Sequence, residues 1–346
     1  MTCTIKHQDE MDPQKWDEFV YANSMGWAYY LYEKIRLDRY VTYTNLSFAI
    51  IDQDNDDEIL LIQQLHQTNN HPVLSKLGIL RERLTSRWGY VIKDNLPTKQ
   101  FRKVKSCYEN YIDEYIEKHH IRRFTMDIAP LSQYAIDNKT GVNPAIYLNF
   151  CPEVRYTYVV DLSKPDDRML ADCEETTRQA IRKIEASGKY EIVKAQPNEQ
   201  DCQTYIDLHK ETYIRSHNVR GIKSDIYHKG IFYKLIPAGI CEVYFLKEVD
   251  SGTIIASLAV LIYKNTAYYW WGSSKNDKEI GINKYLLFKV MCMLRERFGK
   301  TGYFETGGAY TYLRSGKFKG LNDFKKSFGS FLAPIYQGTY YTKSRC

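Results

Sequence analysis

The stretch from Ile240 to Gly308 decides the fold: ICEVYFLKEVDSGTIIASLAVLIYKNTAYYWWGSSKNDKEIGINKYLLFKVMCMLRERFGKTGYFETGG. It begins with three β-rich runs, Cys241–Val249, Thr253–Tyr263 and Thr266–Trp271. Asp250-Ser251-Gly252 and Lys264-Asn265 separate these runs, and both segments have the composition of hairpin turns. The stretch therefore predicts a meander of three hairpin-connected strands.

A helix is predicted after the meander, from about Asn283 to Phe298. Apolar residues recur there at every fourth position, which places them on one helix face. They are Ile282, Leu286, Val290 and Leu294. Gly299 and Gly302 end the helix, and Tyr303–Glu305 indicates a further short strand.

The composition is that of a globular chain long enough for two domains. The chain has 346 residues, of which 44% are hydrophobic and 26% charged. Its net charge of +6 suits a small anionic ligand such as a nucleotide or coenzyme A, and is too weak for a DNA-binding surface. Neither a membrane-length apolar run nor a secretory signal is present, so we expect a cytoplasmic protein without a membrane partner. The sequence leaves the oligomeric state open.

The cysteine pattern argues against a metal site. Eight cysteines are scattered without a CxxC pair, and HExxH is also absent. Cys241 and Cys292 lie in apolar patterns, which indicates reduced core thiols.

The same order of elements occurs twice along the chain. Strands, a glycine-bearing loop, a helix and another strand are predicted at 45–128 and again at 241–306, without close sequence repetition. A loop at Asn143–Cys151 separates the two halves, which predicts domains at 1–150 and 151–346. The second half opens with a strand at Arg155–Leu162 and one long helix that ends at Gly188.

Several short motifs, in a fixed order, resemble those of the double-GNAT acyltransferases of the Fem type, the non-ribosomal peptidyltransferases and their relatives. The matching segments are Trp16-Asp17-Glu18-Phe19-Val20, Trp88-Gly89, Thr177-Arg178 with Ile181-Arg182-Lys183 and Gly188, Thr212 with Arg215, Phe304–Gly308, and Gly320-Leu321 with Phe324-Lys325 and Phe328-Gly329. The last two are the most specific.

The resemblance implies an α+β fold of two GNAT-like domains, each a mixed, largely antiparallel sheet flanked by helices. It assigns the acceptor to the domain at 1–150 and the acyl donor to the domain at 151–346. In layout the chain is most similar to the CoA-dependent N-acyltransferases of nucleotide amino sugars, which lack a helical arm.

Two departures bear on the acyl donor. Peptidyltransferases that use charged tRNA often carry a long helical arm in the second domain, and the gap between Arg215 and Ile240 is too short for one. The common GNAT pyrophosphate motif is replaced by Glu279-Ile280-Gly281-Ile282-Asn283. A glycine before a helix can still present backbone N–H groups to phosphate, so we expect Gly281, Asn283 and Lys284 to bind coenzyme A.

Acyl transfer needs a proton acceptor for the amine and a donor for the oxyanion. Asp94 is the first candidate for the base, because it follows Trp88-Gly89 and precedes the helix start at Pro97; capping that helix is the alternative role. The resemblance implies that Lys325 faces the acyl-transfer centre. Arg178 is an alternative phosphate ligand to Arg215.

Five further residues are predicted to bind substrate: Ser86, Trp88, Arg215, His217 and Glu305. Of these, Arg215 suits a phosphate and Ser86 an acceptor hydroxyl, although an exposed loop serine is the alternative. His217 and Glu305 are also weaker candidates for the base, with purely structural roles as the alternative.

The leading hypothesis is an N-acyltransferase that moves an acyl group from a CoA thioester to a small amine, with a nucleotide-linked amino sugar as the favoured acceptor. The resemblance places such an enzyme in bacterial cell-surface polysaccharide biosynthesis. One alternative is an aminoacyl-tRNA-dependent transferase that extends a peptidoglycan precursor, which would make tRNA a partner. A non-catalytic binding protein on the same fold is the other.

Overall fold

The computed structural model describes residues 1–38, 43–68, 83–121, 123–216, 221–275, 281–310 and 316–341. The chain divides into two compact units, one of Met1–Arg155 with Pro334–Cys346 and one of Tyr156–Ala333. The sequence predicted a boundary after residue 150 and a second domain that runs to the end of the chain. The C-terminal strand from Pro334 onward groups instead with the first unit, and its residues 337–340 pair with a strand at Arg123–Asp127.

The first unit contains strands at both ends of its sequence. They are β1 (Cys3–His7), β2 (Tyr43–Asn45), β3 (Phe48–Asp52), β4 (Glu58–Gln63), β5 (His66–Thr68), β6 (Arg83–Ser86), β7 (Tyr90–Ile92) and β8 (Arg123–Asp127). Two further strands, β9 (Cys151–Asp161) and β15 (Phe331–Tyr340), run through the boundary between the units. The helices of this unit are α1 (Pro13–Ala22), α2 (Tyr32–Asp38), α3 (Thr98–Lys118) and α4 (Gln133–Asp137), with 3-10 turns at Gln8–Glu10, Ala28–Tyr30 and Pro144–Leu148.

Two sheets form in the first unit. One has the order β1-β3-β4-β7 and is antiparallel throughout. The other has the order β15-β8-β6-β5-β2, in which only β6 and β8 are parallel. Helix α3 connects β7 of the first sheet to β8 of the second.

The second unit has one sheet in the order β10-β11-β12-β13-β14-β9. Its remaining strands are β10 (Tyr190–Lys194), β11 (Cys241–Glu248), β12 (Ile254–Tyr263), β13 (Thr266–Ser274) and β14 (Tyr303–Gly308). Only β13 and β14 are parallel. Its helices are α5 (Asp166–Asp172), α6 (Glu175–Ser187), α7 (Glu199–Arg215), α8 (Asp225–Gly230), α9 (Ile282–Arg297) and α10 (Lys317–Lys326), with a π-helical turn at Ile231–Leu235.

The apolar core of the second unit lies between α9 and one face of the sheet. The four residues predicted to line α9 are all buried: Ile282, Leu286, Val290 and Leu294. They pack with alternate residues of β12, among them Leu258 and Val260. Cys241 and Cys292 are buried, reduced thiols, as their apolar surroundings in the sequence indicated. None of the described helices is long and apolar enough to cross a membrane.

The long helix predicted after β9 is in fact two helices, α5 and α6. The chain becomes extended at Cys173, where α5 ends. The Arg178 guanidinium donates to the carbonyl oxygens of Ala171 (2.9 Å) and Cys173 (3.0 Å), which satisfies groups that a helix end leaves unpaired. Arg178 therefore has a structural role here, and its role as a phosphate ligand remains a prediction.

Gly329, from the closing motif, is required by both its conformation and its surroundings. Its φ is +70°, and a Cβ there would lie 2.7 Å from Asp172 Cβ and 2.8 Å from Asp172 O. We expect Gly329→Ala to lower the free energy of unfolding by about 1–2 kcal/mol for the left-handed conformation and by a further 1–3 kcal/mol for the overlap. Urea denaturation measures this loss.

Gly188→Ala is the matched control, because Gly188 has φ +62° and nothing within 4 Å of the added Cβ. Gly188→Ala should therefore lower the free energy of unfolding only by the cost of the left-handed conformation. Equal losses in the two variants would mean that the contact with Asp172 is not tight.

Candidate active site

Strands β13 and β14 pair at one end only. Thr266, Ala267 and Tyr268 are paired with Tyr303, Phe304 and Glu305, and no pairing between the two strands continues beyond them. Strand β13 nevertheless extends six residues further, to Ser274, with β12 on its other side. The two strands therefore diverge, and the second half of β13 forms an edge that does not pair with β14.

A β-bulge lies in this open half of β13. Val260 pairs with Tyr269 but Ala259 pairs with Trp271, so Trp270 is the extra residue. The next glycine, Gly272, is needed because a Cβ there would lie 2.0 Å from the Tyr269 hydroxyl. Bulges bend a strand and redirect its side chains, and they are frequent next to active sites.

The three residues predicted to bind coenzyme A lie where α9 begins. Gly281 has φ +105°, and a Cβ there would lie 2.7 Å from Ala180 Cβ, so the glycine allows α9 to approach α6 closely. The exposed Asn283 donates to Ser274 Oγ (3.1 Å). Lys284 Nζ donates to Thr177 Oγ1 (2.8 Å), which ties α9 to α6. The binding of coenzyme A phosphates by the N–H groups of the first turn of α9 remains a prediction.

Arg215 is brought to the same place. Its guanidinium donates to Ser274 O (2.8 Å), and Thr212 Oγ1 both donates to Ser274 O and accepts from Ser274 N, at 3.0 Å each. The Thr212 and Arg215 motif thus fixes the end of β13 beside the start of α9. His217 lies outside the described residues.

Lys325 lies against the glycine turn that ends β14. Its Nζ donates to Gly308 O (3.1 Å) and lies 3.0 Å from the position that a Cβ of residue 307 would occupy. Gly307 has φ +106°, so a side chain is disfavoured there as well as crowded. A side chain at position 307 would therefore press against the ammonium group.

Glu305 is the charged group that acts on Lys325. Burial lowers the pKa of Lys325, and the negative charge of Glu305 opposes that shift. The Glu305 carboxylate is 2% exposed and accepts a hydrogen bond from Thr157 Oγ1 (2.7 Å). Lys325 and Glu305, both predicted from the sequence as site residues, therefore lie together. Glu305 is a buried counter-charge to the Lys325 ammonium group.

In the first unit, Asp94 is engaged with a neighbouring loop. Its two carboxylate oxygens accept from Ser24 N and Ser24 Oγ, both at 2.8 Å, and its own N–H donates to Asn23 Oδ1 (2.7 Å). It does not cap α3, whose N-cap residue is Pro97. This geometry gives Asp94 a role in fixing the loop, and its assignment as the base remains a prediction.

Ser86 and Trp88 are both buried beside Gly89. Ser86 Oγ donates to Gly89 O (3.0 Å) and accepts from Gln63 Nε2 (2.7 Å), so the serine is buried and is not an exposed loop residue. The Trp88 ring stacks on Tyr29 at 4.6 Å between ring centres. Both side chains shape the interior around the glycine turn, and their contact with substrate remains a prediction.

Asp127, at the end of β8, is a candidate that sequence reasoning missed. Burial raises the pKa of its carboxyl to about 6, although Arg155 and a hydrogen bond from Gln337 Nε2 act in the opposite direction. A Cβ on Gly89 would lie 2.9 Å from Asp127 O, so the Trp88-Gly89 turn packs directly against this strand end. A carboxyl group with a pKa near neutrality is suited to accept a proton. The alternating pattern of β8 could have placed Asp127 at a strand end. Nothing in the neighbouring sequence indicates that Gln337 is its hydrogen-bond partner.

The raised pKa of Asp127 predicts a pH-dependent stability difference. An aspartate with a folded-state pKa of about 6 and an ordinary value of 3.8 stabilises the fold less as pH rises through 6, because the folded state resists ionisation. We expect Asp127→Asn to increase the free energy of unfolding by about 1–3 kcal/mol at pH 8 relative to its effect at pH 4. Urea denaturation at the two pH values measures the difference.

Asp137→Asn, at an exposed carboxylate of the same unit, is the control and should show no such gain. An Asp127→Asn effect that is the same at both pH values would contradict the assigned pKa.

A second group of polar residues, missed from the sequence, lies between α7, α8 and the sheet. We call it the histidine cluster, and its members are Tyr205, His209, His228, Ser257, Trp271 and Ser273. The rings of His209 and His228 are 4.4 Å apart between centres, and those of His209 and Trp271 are 5.1 Å apart. Burial lowers the pKa of His209 to about 4 and that of His228 to about 3, so both are neutral at pH 7.

The second unit matches a known family. Residues 171–325 match the acetyltransferase (GNAT) domain. This range contains the diverging strands, the start of α9, and Lys325. No curated protein sequence matches the chain.

Solved structures show the fold of the whole chain. FemX has a TM-score of 0.70 at 14% identity, with 97% of each chain covered. The C-terminal domain of a putative lysylphosphatidylglycerol synthetase from Agrobacterium fabrum has a TM-score of 0.56 at 15% identity, with 94% of this chain and 90% of that chain covered. A tandem GNAT protein from the clavulanic acid biosynthesis pathway has a TM-score of 0.54 at 10% identity, with 98% of each chain covered.

The chain therefore has an acyltransferase-type fold of the GNAT class. More particularly it is a tandem GNAT, Fem-like fold, and the predicted fold class is confirmed. Within the described residues, no group of three or more His, Cys, Asp or Glu side chains could hold a metal ion.

Proposed function

We propose that the chain is an N-acyltransferase that moves an acyl group from a CoA thioester to the amine of a small molecule. The divergence of β13 from β14 carries this proposal. An extended donor can lie along the open half of β13, at the edge that does not pair with β14, as an added strand would. Its phosphates would then reach the first turn of α9, which begins beside Ser274.

Lys325 is the residue that we assign to the chemical step. The amine nitrogen forms a bond to the thioester carbonyl carbon, and negative charge develops on the carbonyl oxygen. A partly desolvated ammonium group stabilises that charge more strongly than it would in water. The C–S bond then breaks, the amine loses a proton, and the CoA sulfur leaves and is protonated as the thiol.

Within the first unit, Asp127 is a carboxyl group that is well suited to accept a proton. Its pKa of about 6 leaves it mostly ionised at neutral pH, yet close enough to neutrality to hold a proton transiently. Asp94 is the other predicted base of this unit, and both of its oxygens accept hydrogen bonds from Ser24.

A nucleotide-linked amino sugar remains the favoured acceptor. Exposed aromatic residues beside the Gly307-Gly308 turn support it, since rings of this kind stack on bases and sugars. Tyr310 and Phe318 have ring centres 5.8 Å apart and are 38% and 59% exposed. Tyr156 is adjacent, because its carbonyl oxygen accepts from Ala309 N (2.8 Å).

An aminoacyl-tRNA-dependent transferase is the second candidate, and the likeness to FemX favours it. The comparison covers 97% of the FemX chain as well as 97% of this one. The missing helical arm is therefore compatible with a Fem-type peptidyltransferase and does not separate the two functions.

Thermal unfolding with added ligands distinguishes the candidates. A ligand at one hundred times its dissociation constant stabilises the native state by about 2.7 kcal/mol. We expect a higher Tm with coenzyme A and a further increase with one nucleotide amino sugar. No change with coenzyme A, together with an increase for a peptidoglycan precursor, would favour the tRNA-dependent function.

A further inference from the structure

We propose that the histidine cluster binds a neutral hydroxyl group on the transferred acyl chain, so that the preferred donor is a short hydroxyacyl thioester rather than a plain acyl thioester. This inference rests on the proposed function, because it specifies the acyl group handled at the same site.

The polar atoms of the cluster are buried and have no partner in the part of the chain that the structure describes. They are both ring nitrogens of His209 and of His228, the hydroxyls of Tyr205, Ser257 and Ser273, and Trp271 Nε1. Tyr205, His209 and His228 are 0% exposed, and the two serines are at most 2% exposed. Buried polar groups in proteins are nearly always hydrogen-bonded, so this concentration indicates a complementary ligand.

The chemistry of the cluster selects a neutral ligand. A neutral imidazole offers one donor and one acceptor, and each hydroxyl offers both. The charged side chains that act on His228 are Asp225, Lys210 and Lys223, and their effect on it is smaller than that of burial. Asp225 and Lys210 form an ion pair with each other (2.7 Å), with both side chains at least partly exposed. A charged ligand group would therefore be buried without a counter-ion, whereas a hydroxyl can donate and accept at once.

The position of the cluster connects it to the acyl donor. Trp271 and Ser273 follow Tyr268, the last residue of β13 that pairs with β14, so both lie in the open half of the strand. Ser257 is the cross-strand partner of Ser273, and partners in a sheet share a face. Trp271 is two residues from Ser273 and contacts His209, which places this face under α7.

The opposite face of β12 is apolar. Leu258 and Val260 of β12 belong to the core beneath α9, whereas Ser257 points to the other side. The unpaired polar groups are thus confined to one face, beside the strand edge where the thioester would lie. A short acyl chain that turns from this edge toward α7 meets Trp271 first and the serines next.

Calorimetric titration with two matched ligands tests the inference. 3-Hydroxybutyryl-CoA and butyryl-CoA differ only in the hydroxyl group. We expect the wild-type protein to bind the hydroxylated ligand at least tenfold more tightly, because the ligand without a hydroxyl leaves buried polar groups unpaired. In the double variant Ser257→Ala/Ser273→Ala this preference should fall to less than threefold, with the affinity for coenzyme A unchanged.

Controls separate this role from a structural one. Ser251→Ala, in an exposed turn of the same unit, should keep the full preference. The double variant without ligand should have a Tm no lower than that of the wild type, since the two serine hydroxyls that it lacks have no hydrogen-bond partner among the described residues.

The inference would be overturned, while the proposed function stands, by equal affinities in the wild type or by a preference that persists in the double variant. A lower Tm of the ligand-free variant would also overturn it, because it would indicate internal water as the partner. If the double variant lost affinity only for an amino sugar, the cluster would belong to the acceptor site, and the inference would also be overturned. No binding of coenzyme A by the wild type would contradict the proposed function, and this inference with it.

Discussion

Replacing Lys325 by methionine is expected to lower kcat for acyl transfer by about 10²–10³-fold while the fold and the affinity for coenzyme A are retained. Methionine keeps the length and apolar stem of the side chain, so the buried position remains filled. It removes the ammonium group that lies beside Gly307 and donates to Gly308 O (3.1 Å). Removal of the ammonium group should therefore destabilise the charged intermediate more than it weakens binding of the donor.

The adjacent Lys326 provides the control, because it is exposed whereas Lys325 is 9% exposed. Lys326→Met should keep kcat within about threefold of the wild type. Steady-state kinetics with the best amine acceptor, together with the Tm of each variant, measure both effects. Full activity of Lys325→Met would remove Lys325 from the chemical step and leave the fold assignment intact.

Acidification is expected to destabilise the protein through His209 and His228. Burial lowers the pKa of the two side chains to about 4 and about 3, from an ordinary value of 6.5. Below pH 6.5 the unfolded chain binds protons at these positions and the folded chain does not. The stability that they contribute above pH 6.5 is therefore lost as pH falls toward the folded-state values.

At pH 5, which is 1.5 pH units below the ordinary pKa, each histidine should reduce the free energy of unfolding by about 2 kcal/mol. The measurement is urea denaturation at pH 7.5 and pH 5.0 for the wild type and for His209→Asn/His228→Asn. The wild type should lose about 4 kcal/mol more than this double variant. The comparison between variants removes the contributions of groups that titrate in both, including Asp127.

The exposed His120 supplies the control substitution, because asparagine also tolerates its left-handed backbone. His120→Asn should lose as much stability on acidification as the wild type does. If the double histidine variant also loses as much as the wild type, the two buried rings are already protonated at pH 7.5 or are open to water.

The fold was predictable where the signal was local. The four apolar residues of α9 recur at helical spacing, and the hairpin turns at 250–252 and 264–265 defined β11, β12 and β13. The divergence of β13 from β14 has no such signal, because it depends on how many residues pair between two segments that are distant in sequence. The break between α5 and α6 was missed because Arg178, which closes the end of α5, lies beyond it in the chain.

The candidate site was predictable mainly through the resemblance. It selected Lys325 and Glu305, which lie together, and Arg215 and Asn283, which both hydrogen-bond to Ser274. Asp94 was chosen from its neighbours in sequence, but its partner Ser24 is 70 positions away. Asp127 and Gln337 are 210 positions apart, and neither residue indicates the other in the sequence.

The central claim is that the acyl donor is a CoA thioester and the acceptor an amine. The most direct measurement incubates the protein with 3-hydroxybutyryl-CoA and a panel of nucleotide amino sugars, and quantifies free CoA thiol and acylated product. We predict one thiol released for each amide formed, with release dependent on one acceptor. Absence of thiol release with every amine, together with product formation from an aminoacyl-tRNA, would contradict the account.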